Sequence, residues 1–308
     1  MSLQPSDTLR HRLEVESGPV SPLIEAIAEP EPDEAPPRRG VLRSVPIALC
    51  FLWLGLVVFG AVAADWLPLD SPEAVHPAQR LQDPSTAHWF GTDQLGRDIF
   101  SRVVYGSRVS LIVALSSFGI GLAIGGILGV VAGYLRGPFD AVISWLTDVV
   151  LSFPALVLLI ALVAYTGGGL LNICLALGFL AIPVYTRLTR AHALSVGSEE
   201  FVLAARATGA GRVRVLWREV MPNVLPPVLA YGLVAMSLAI VVEGSLSFLG
   251  LSVSAPTPSW GGLIADGQKY LRQQVSMVII PSAILCLTVL ALNVAGEHYR
   301  RRYEVGDA

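Results

Sequence analysis

Charge along this chain is confined to short intervals, and the apolar runs between them dictate its organisation. Val45 to Ala64 is twenty residues without a charged side chain. At about 1.5 Å per helical residue, that run crosses a hydrocarbon core about 30 Å thick. Val109 to Gly133 is a second charge-free run. Val149 to Thr186 carries no charge over thirty-eight residues. One crossing needs about twenty, so the pattern predicts a turn at Gly167-Gly168-Gly169 between spans of about 141–165 and 170–186. Asn223 to Gly250, whose single charge is Glu243, and Val275 to Gly296 complete the set. The prediction is an all-α membrane protein with six transmembrane helices.

Six crossings place both termini on one side, and the arginines indicate which. Fifteen Lys and Arg residues fall on the side of the termini and six on the other. Basic residues are retained on the cytoplasmic side, so the termini and the 187–222 loop are predicted to be cytoplasmic. A cleaved leader is the rival for the first span, because Arg38-Arg39 precedes it and Ala61-Val62-Ala63 resembles a cleavage site. The length of the run and of the preceding segment favours a retained span. Residues 1–44 hold seven prolines and eight acidic residues, a composition predicted to stay disordered.

Composition narrows the function classes further. The chain is 53% hydrophobic and 15% charged, with a mean hydropathy of +0.62. A net charge of -3 with no basic patch argues against nucleic acid as a partner. Cys50, Cys174 and Cys286 each lie in a different apolar run, which predicts free thiols rather than disulfides. The five histidines have no ligand spacing, so no metal site is predicted. The only lysine, Lys269 in DGQKY, cannot complete a phosphate-binding G-x-x-x-x-G-K-[ST] motif. The chain is therefore predicted not to be an enzyme and to bind no cofactor itself.

Gly121, Gly125, Gly129 and Gly133 recur every four residues, a small-residue ridge that predicts close packing of another helix. In the 187–222 loop, Ser198 is positioned to cap a helix of about eleven residues that opens with Glu199 and Glu200 and ends at Gly209. Phe201, Ala204, Ala205 and Thr208 are predicted to share one of its faces, shallow enough to seat in a protein groove. Beyond it, Val213, Leu216, Trp217 and Val220 alternate with Arg212, Arg214 and Arg218 as a second, interfacial helix that Met221-Pro222 ends. By residues alone, packing of this loop on its own bundle is an equal reading.

On the opposite side, Thr92 or Asp93 is predicted to cap a helix with an Asp98–Arg102 pair and Leu95, Ile99 and Val103 on one face. The 251–274 loop, with Trp260 between prolines and glycines, is predicted to re-enter near the outer gate. Asp148 and Glu243 are the charges inside spans. With Trp260 they are candidates for the translocation path, although the positions of the two carboxylates near opposite faces favour structural hydrogen bonding.

Four stretches carry a family resemblance. Ala204-Ala205, three residues, then Gly209 is similar to the coupling loop of ABC importer permeases. FGTDQLGRDIFSRVVYGSR (90–108) resembles the N-terminal signature of the C-type permeases of peptide and nickel importers. DVVLSFP (148–154) and SFLGLSVSAPTPSWG (247–261) are similar to further segments of that family. The resemblance runs from about Val45 to Arg300. Leu203 departs from it, standing where the coupling motif usually has glutamate.

The resemblance implies a type I importer permease with a cytoplasmic coupling helix, in a bacterial inner membrane. It divides the chain into a tail (1–44), a first span and outer elbow (45–108), a permease core (109–297) and a C-terminal tail (298–308). Implied partners are a second permease, two ATP-binding subunits or a homodimer of one kind, an extracytoplasmic binding protein and lipid, with ATP and Mg held by the ATPases. Glu199, Glu200, Ala204, Ala205, Arg206, Gly209 and Ala210 would dock the ATPase. A bulky residue at Ala205 or Gly209 would detach it from a folded permease. Di- or oligopeptides are the implied cargo, with nickel chelate or haem as alternatives. A proton-coupled secondary transporter using Asp148 and Glu243 is the rival of a different class.

Overall fold

The computed structural model describes residues 44–253 and 255–304, and the expectation for the first 43 residues lies outside them. Helix α1, Ser44–Ala63, follows the first apolar run. It exposes Leu52, Leu56, Phe59 and Val62, the apolar surface a lipid-facing helix needs. Its Trp53 Nε1 donates to Thr288 Oγ1 at 3.1 Å. Among the described residues, five helices are long and apolar enough to cross a membrane: α1, α2 (Ile99–Leu135), α5 (Leu170–Val196), α7 (Arg212–Phe248) and α9 (Ser276–Glu304). A bent pair, α3 (Pro138–Leu151) and α4 (Ala155–Thr166), taken as one broken span, makes six.

That pair corrects the straight third span predicted over about 141–165. The two helices meet at 83°. Pro154 has no N–H to donate and holds an extended ψ of 118°, and the residue before a proline is driven out of the helical region. Asp140 to Arg190 and Asp148 to Arg187, each at 2.5 Å, tie α3 to α5. Those pairs also give the C-terminal part of α5, which runs past Thr186 to Val196, its partners.

The glycine ridge meets α5. A Cβ on Gly121 would lie 2.6 Å from the Tyr185 ring and 2.8 Å from Ala181 Cβ. On Gly125 it would strike the Ile182 carbonyl, on Gly129 the Thr186 carbonyl and Thr189 hydroxyl, and on Gly133 the Arg190 carbonyl. Around the first two glycines α2 widens into a π-helical segment, Gly121–Gly126.

A second π-helical segment, Leu216–Val220, explains another correction. Met221-Pro222 does not end the second loop helix, which continues without a break into the fifth span. A wide turn just upstream gives the proline ring the room that a regular α-helix denies it.

The 64–98 elbow is not the predicted helix. Residues 64–98 are mainly turns, with one 3₁₀ turn at Pro77–Gln79 and an isolated bridge between Thr92 and Asp98. Asp98 caps α2 by accepting from Ser101 N at 2.8 Å, and its other oxygen meets His88 Nδ1 at 3.0 Å. Arg102 faces Asp93 at 3.6 Å instead and donates to the Pro72 carbonyl. The 251–274 loop holds α8, Trp260–Gln268, capped by Ser259. Trp260 is buried among Val103, Ile240 and Met277, and its Nε1 donates to the Val103 carbonyl at 3.0 Å.

A candidate coupling helix and two carboxylates

The remaining helix, α6, spans Glu200–Ala207, shorter than predicted. Glu199 is its N-cap residue, and Ser198 does not cap: its hydroxyl donates back to the Ser195 carbonyl. The other end closes as a Schellman motif, with Ala210 N donating to the Ala205 carbonyl at 3.1 Å and Gly209 N to the Arg206 carbonyl at 3.0 Å. Gly209 has φ +87°, which a side chain would resist. Open space surrounds a Cβ built there, so backbone conformation, not bulk, demands the glycine.

The faces of α6 differ in one respect from the predicted pattern. Val202 is 0% exposed and packs with Val215, Val220 and Val224 of α7 and with Tyr134 of α2. Ala205, at i+3 from Val202, turns inward and is packed against the same cluster. Phe201 (44%), Leu203 (50%) and Ala204 stay exposed with Glu200, Ala207 and Thr208. The helix is thus pinned by one side chain while a shallow strip faces outward. Ala205 belongs to the pinned side, so a bulky residue there meets this chain's own core before any partner.

The two carboxylates sit in different surroundings. Asp148 is exposed and paired with Arg187. Glu243 is fully buried near the C-terminal end of α7. Its Oε1 accepts from Ser247 at 3.1 Å, Ser252 at 2.6 Å and Ser259 at 2.9 Å. Oε2 is buried without a partner among the described residues. Ser259 is also the cap of α8, so one carboxylate fastens the end of α7 to the loop that carries Trp260.

This arrangement of spans and loop has counterparts of known kind. Residues 125–305 match the family described as binding-protein-dependent transport system inner membrane component. A dipeptide transport system permease protein, DppC, of Alkalihalophilus pseudofirmus is 35% identical over 88% of this chain and 93% of its own length. A probable D,D-dipeptide transport system permease protein, DdpC, of Escherichia coli is 38% identical over 80% of this chain and 82% of its own. The chain belongs to the binding-protein-dependent permease family. Among solved structures, a chain of the inward-facing MetNI methionine ABC transporter aligns with TM-score 0.55 at 19% identity, covering 66% of this permease and 96% of that chain. That likeness concerns the fold.

Sequence reasoning missed several residues of the permease loop. Val202 anchors α6, yet one valine among exposed apolar neighbours gives no signal until α7 is seen beneath it. Tyr134 and Arg136 lie far from the loop in sequence but beside it in space. The Arg206 guanidinium stacks over the Tyr134 ring at 4.8 Å.

Proposed function

We propose that this permease is the transmembrane subunit of an ATP-driven importer of di- or oligopeptides, with the 187–222 loop in the cytoplasm. The observation that carries the reading is α6: pinned through Val202, ended by Gly209, and exposing Phe201, Leu203, Ala204 and Ala207. Such a strip is suited to seat in the groove of an ATPase subunit. Because Val202 joins α6 to α7 and α2, a displacement of the helix reaches the spans through packed side chains. An extracytoplasmic binding protein would deliver the solute, and a second permease would complete the path. Peptide as cargo is supported by the relatives' names together with the 90–108 signature. The proton-relay alternative loses support because Asp148 is engaged by Arg187 and Glu243 by three seryl hydroxyls.

Uptake of a labelled dipeptide by liposomes carrying the full complex tests the reading. Uptake is expected to require enclosed ATP and external binding protein, to survive an uncoupler, and to persist in Glu243→Gln, which retains an acceptor for the serines. Uptake without ATP that collapses with the uncoupler would establish the secondary transporter instead.

A further inference from the structure

A cavity of about 600 Å³ opens beside the outward strip of α6 and shares Leu203 with it. Its lining includes Arg136 at the C-cap of α2, Arg206 on α6 and Arg212 at the start of α7. Three helices therefore meet around it, and each brings an arginine. All three arginines are exposed. Among the described residues they enter no ion pair, and the nearby Asp140 gives both carboxylate oxygens to Arg190. No acidic side chain is among the lining residues.

Two of these arginines carry a further mark. The Arg206 guanidinium stacks over the Tyr134 ring at 4.8 Å, a contact that orients it without using its hydrogen-bond donors. Arg136 has φ +57° and ψ -169°, a conformation that is easy for glycine and unfavourable for a residue with a Cβ. An arginine at a position that suits glycine points to a use for its side chain. Any partner that covers α6 through Leu203 also covers this cavity and takes its guanidinium groups out of water. Desolvated cations weaken an interface unless the partner brings the opposite charge to them. A carboxylate would be held there by charge-assisted hydrogen bonds, whereas an apolar or basic surface would be penalised.

We propose that the ATPase subunit seated on α6 presents an aspartate or glutamate side chain to this cavity, where Arg136, Arg206 and Arg212 receive it. The proposal rests on the reading of α6 as a docking helix, and adds to it the chemistry of the partner's contact. It also widens the grip. The ATPase then holds the end of α2 and the start of α7 directly, as well as through Val202, so a movement of the ATPase reaches three helices at once.

The test uses the full complex, co-expressed with its ATPase and immobilised through the permease, and follows release of the ATPase in washes of rising KCl. R136Q/R212Q should release it at least about tenfold faster than the wild type at the same salt. R214Q/R218Q makes the same charge change outside the cavity and should release it like the wild type. The carboxylate itself is caught chemically. Lys269 is the chain's only lysine and is not among the lining residues, so R136K adds an amine at the cavity while keeping the charge. R136K should hold the ATPase, and a water-soluble carbodiimide should join position 136 to an acidic residue of the ATPase, located by mass spectrometry. Equally fast release from R214Q/R218Q would overturn the proposal, as would wild-type release from R136Q/R212Q. If R136Q/R212Q does not assemble, the R136K link decides, and its absence contradicts the proposal. Ala204→Trp tests the α6 reading separately. Loss of the ATPase there, beside wild-type release from R136Q/R212Q, would keep α6 as a docking helix and remove the carboxylate.

Discussion

The 64–98 elbow and the 198–222 segment are both polar, both lie at an end of the bundle, and differ in whether they bury charge. In the elbow the buried charges are partnered, Asp93 with Arg97 and Arg102 and Asp98 with His88, while Asp70, Glu73, Arg80 and Asp83 are exposed and, among the described residues, in no ion pair. In the loop, among the described residues, Glu199, Glu200, Arg212, Arg214 and Arg218 are exposed and in no ion pair. A buried charge must be partnered, whereas an exposed one costs little to leave free. The elbow closes its buried charges on one another, whereas the 198–222 segment keeps its charges on the surface.

The largest effect is expected from breaking the elbow. Asp93→Ala removes the partner of two nearly fully buried arginines, and losing one member of a buried pair costs about 3–5 kcal/mol. Thermal unfolding in detergent should show a large fall or a failure to fold. Wild-type stability would mean that water reaches Arg97 and Arg102, and the contrast between the two ends would dissolve. Gly129→Leu comes next. It drives a side chain into the Thr186 carbonyl, for about 1–3 kcal/mol of overpacking. Unchanged stability would place that ridge against lipid.

A pH effect is the smallest. Arg108 donates two hydrogen bonds to Asp65 and holds its carboxyl below the ordinary carboxylate value. A depressed folded-state value contributes stability that is present above about pH 4 and is lost as pH falls through that value. Asp65 is largely exposed, so screening keeps the effect small. Asp65→Asn should lower stability slightly at pH 7 and converge on the wild type at low pH, which slightly flattens the acid limb of the profile. An identical acid limb in the variant would show that the pair contributes nothing.

How much of this was legible in sequence depended on whether the deciding interaction was local. Charge-free runs of twenty or more residues marked the spans because lipid imposes that length directly. The 83° bend was written in Ser152-Phe153-Pro154, but the length of the run outweighed the proline. The continuation of α7 through Met221-Pro222 was hidden because a π turn upstream relieves the clash, and no residue type announces such a turn. Asp98–Arg102 had the right spacing for a helix, yet His88 and Asp93 compete for those charges across the loop. Of the loop residues, Gly209 was readable from its place after a helix-forming stretch. The inward turn of Ala205 was not, because it follows from where Val202 finds its pocket between α2 and α7.

The central claim is that the outward strip of α6 is a docking surface and its inward side is not. The direct measurement compares Ala204→Trp with Ala205→Trp in the co-expressed complex, reading ATPase co-purification, thermal stability and substrate-stimulated hydrolysis in liposomes. Ala204→Trp should leave the permease stable while the ATPase is lost or its hydrolysis no longer responds to substrate. Ala205→Trp should destabilise the permease itself, because it overfills the cluster around Val202. Normal association and coupling in a stable Ala204→Trp complex would contradict the account and make α6 a membrane-surface helix of its own bundle.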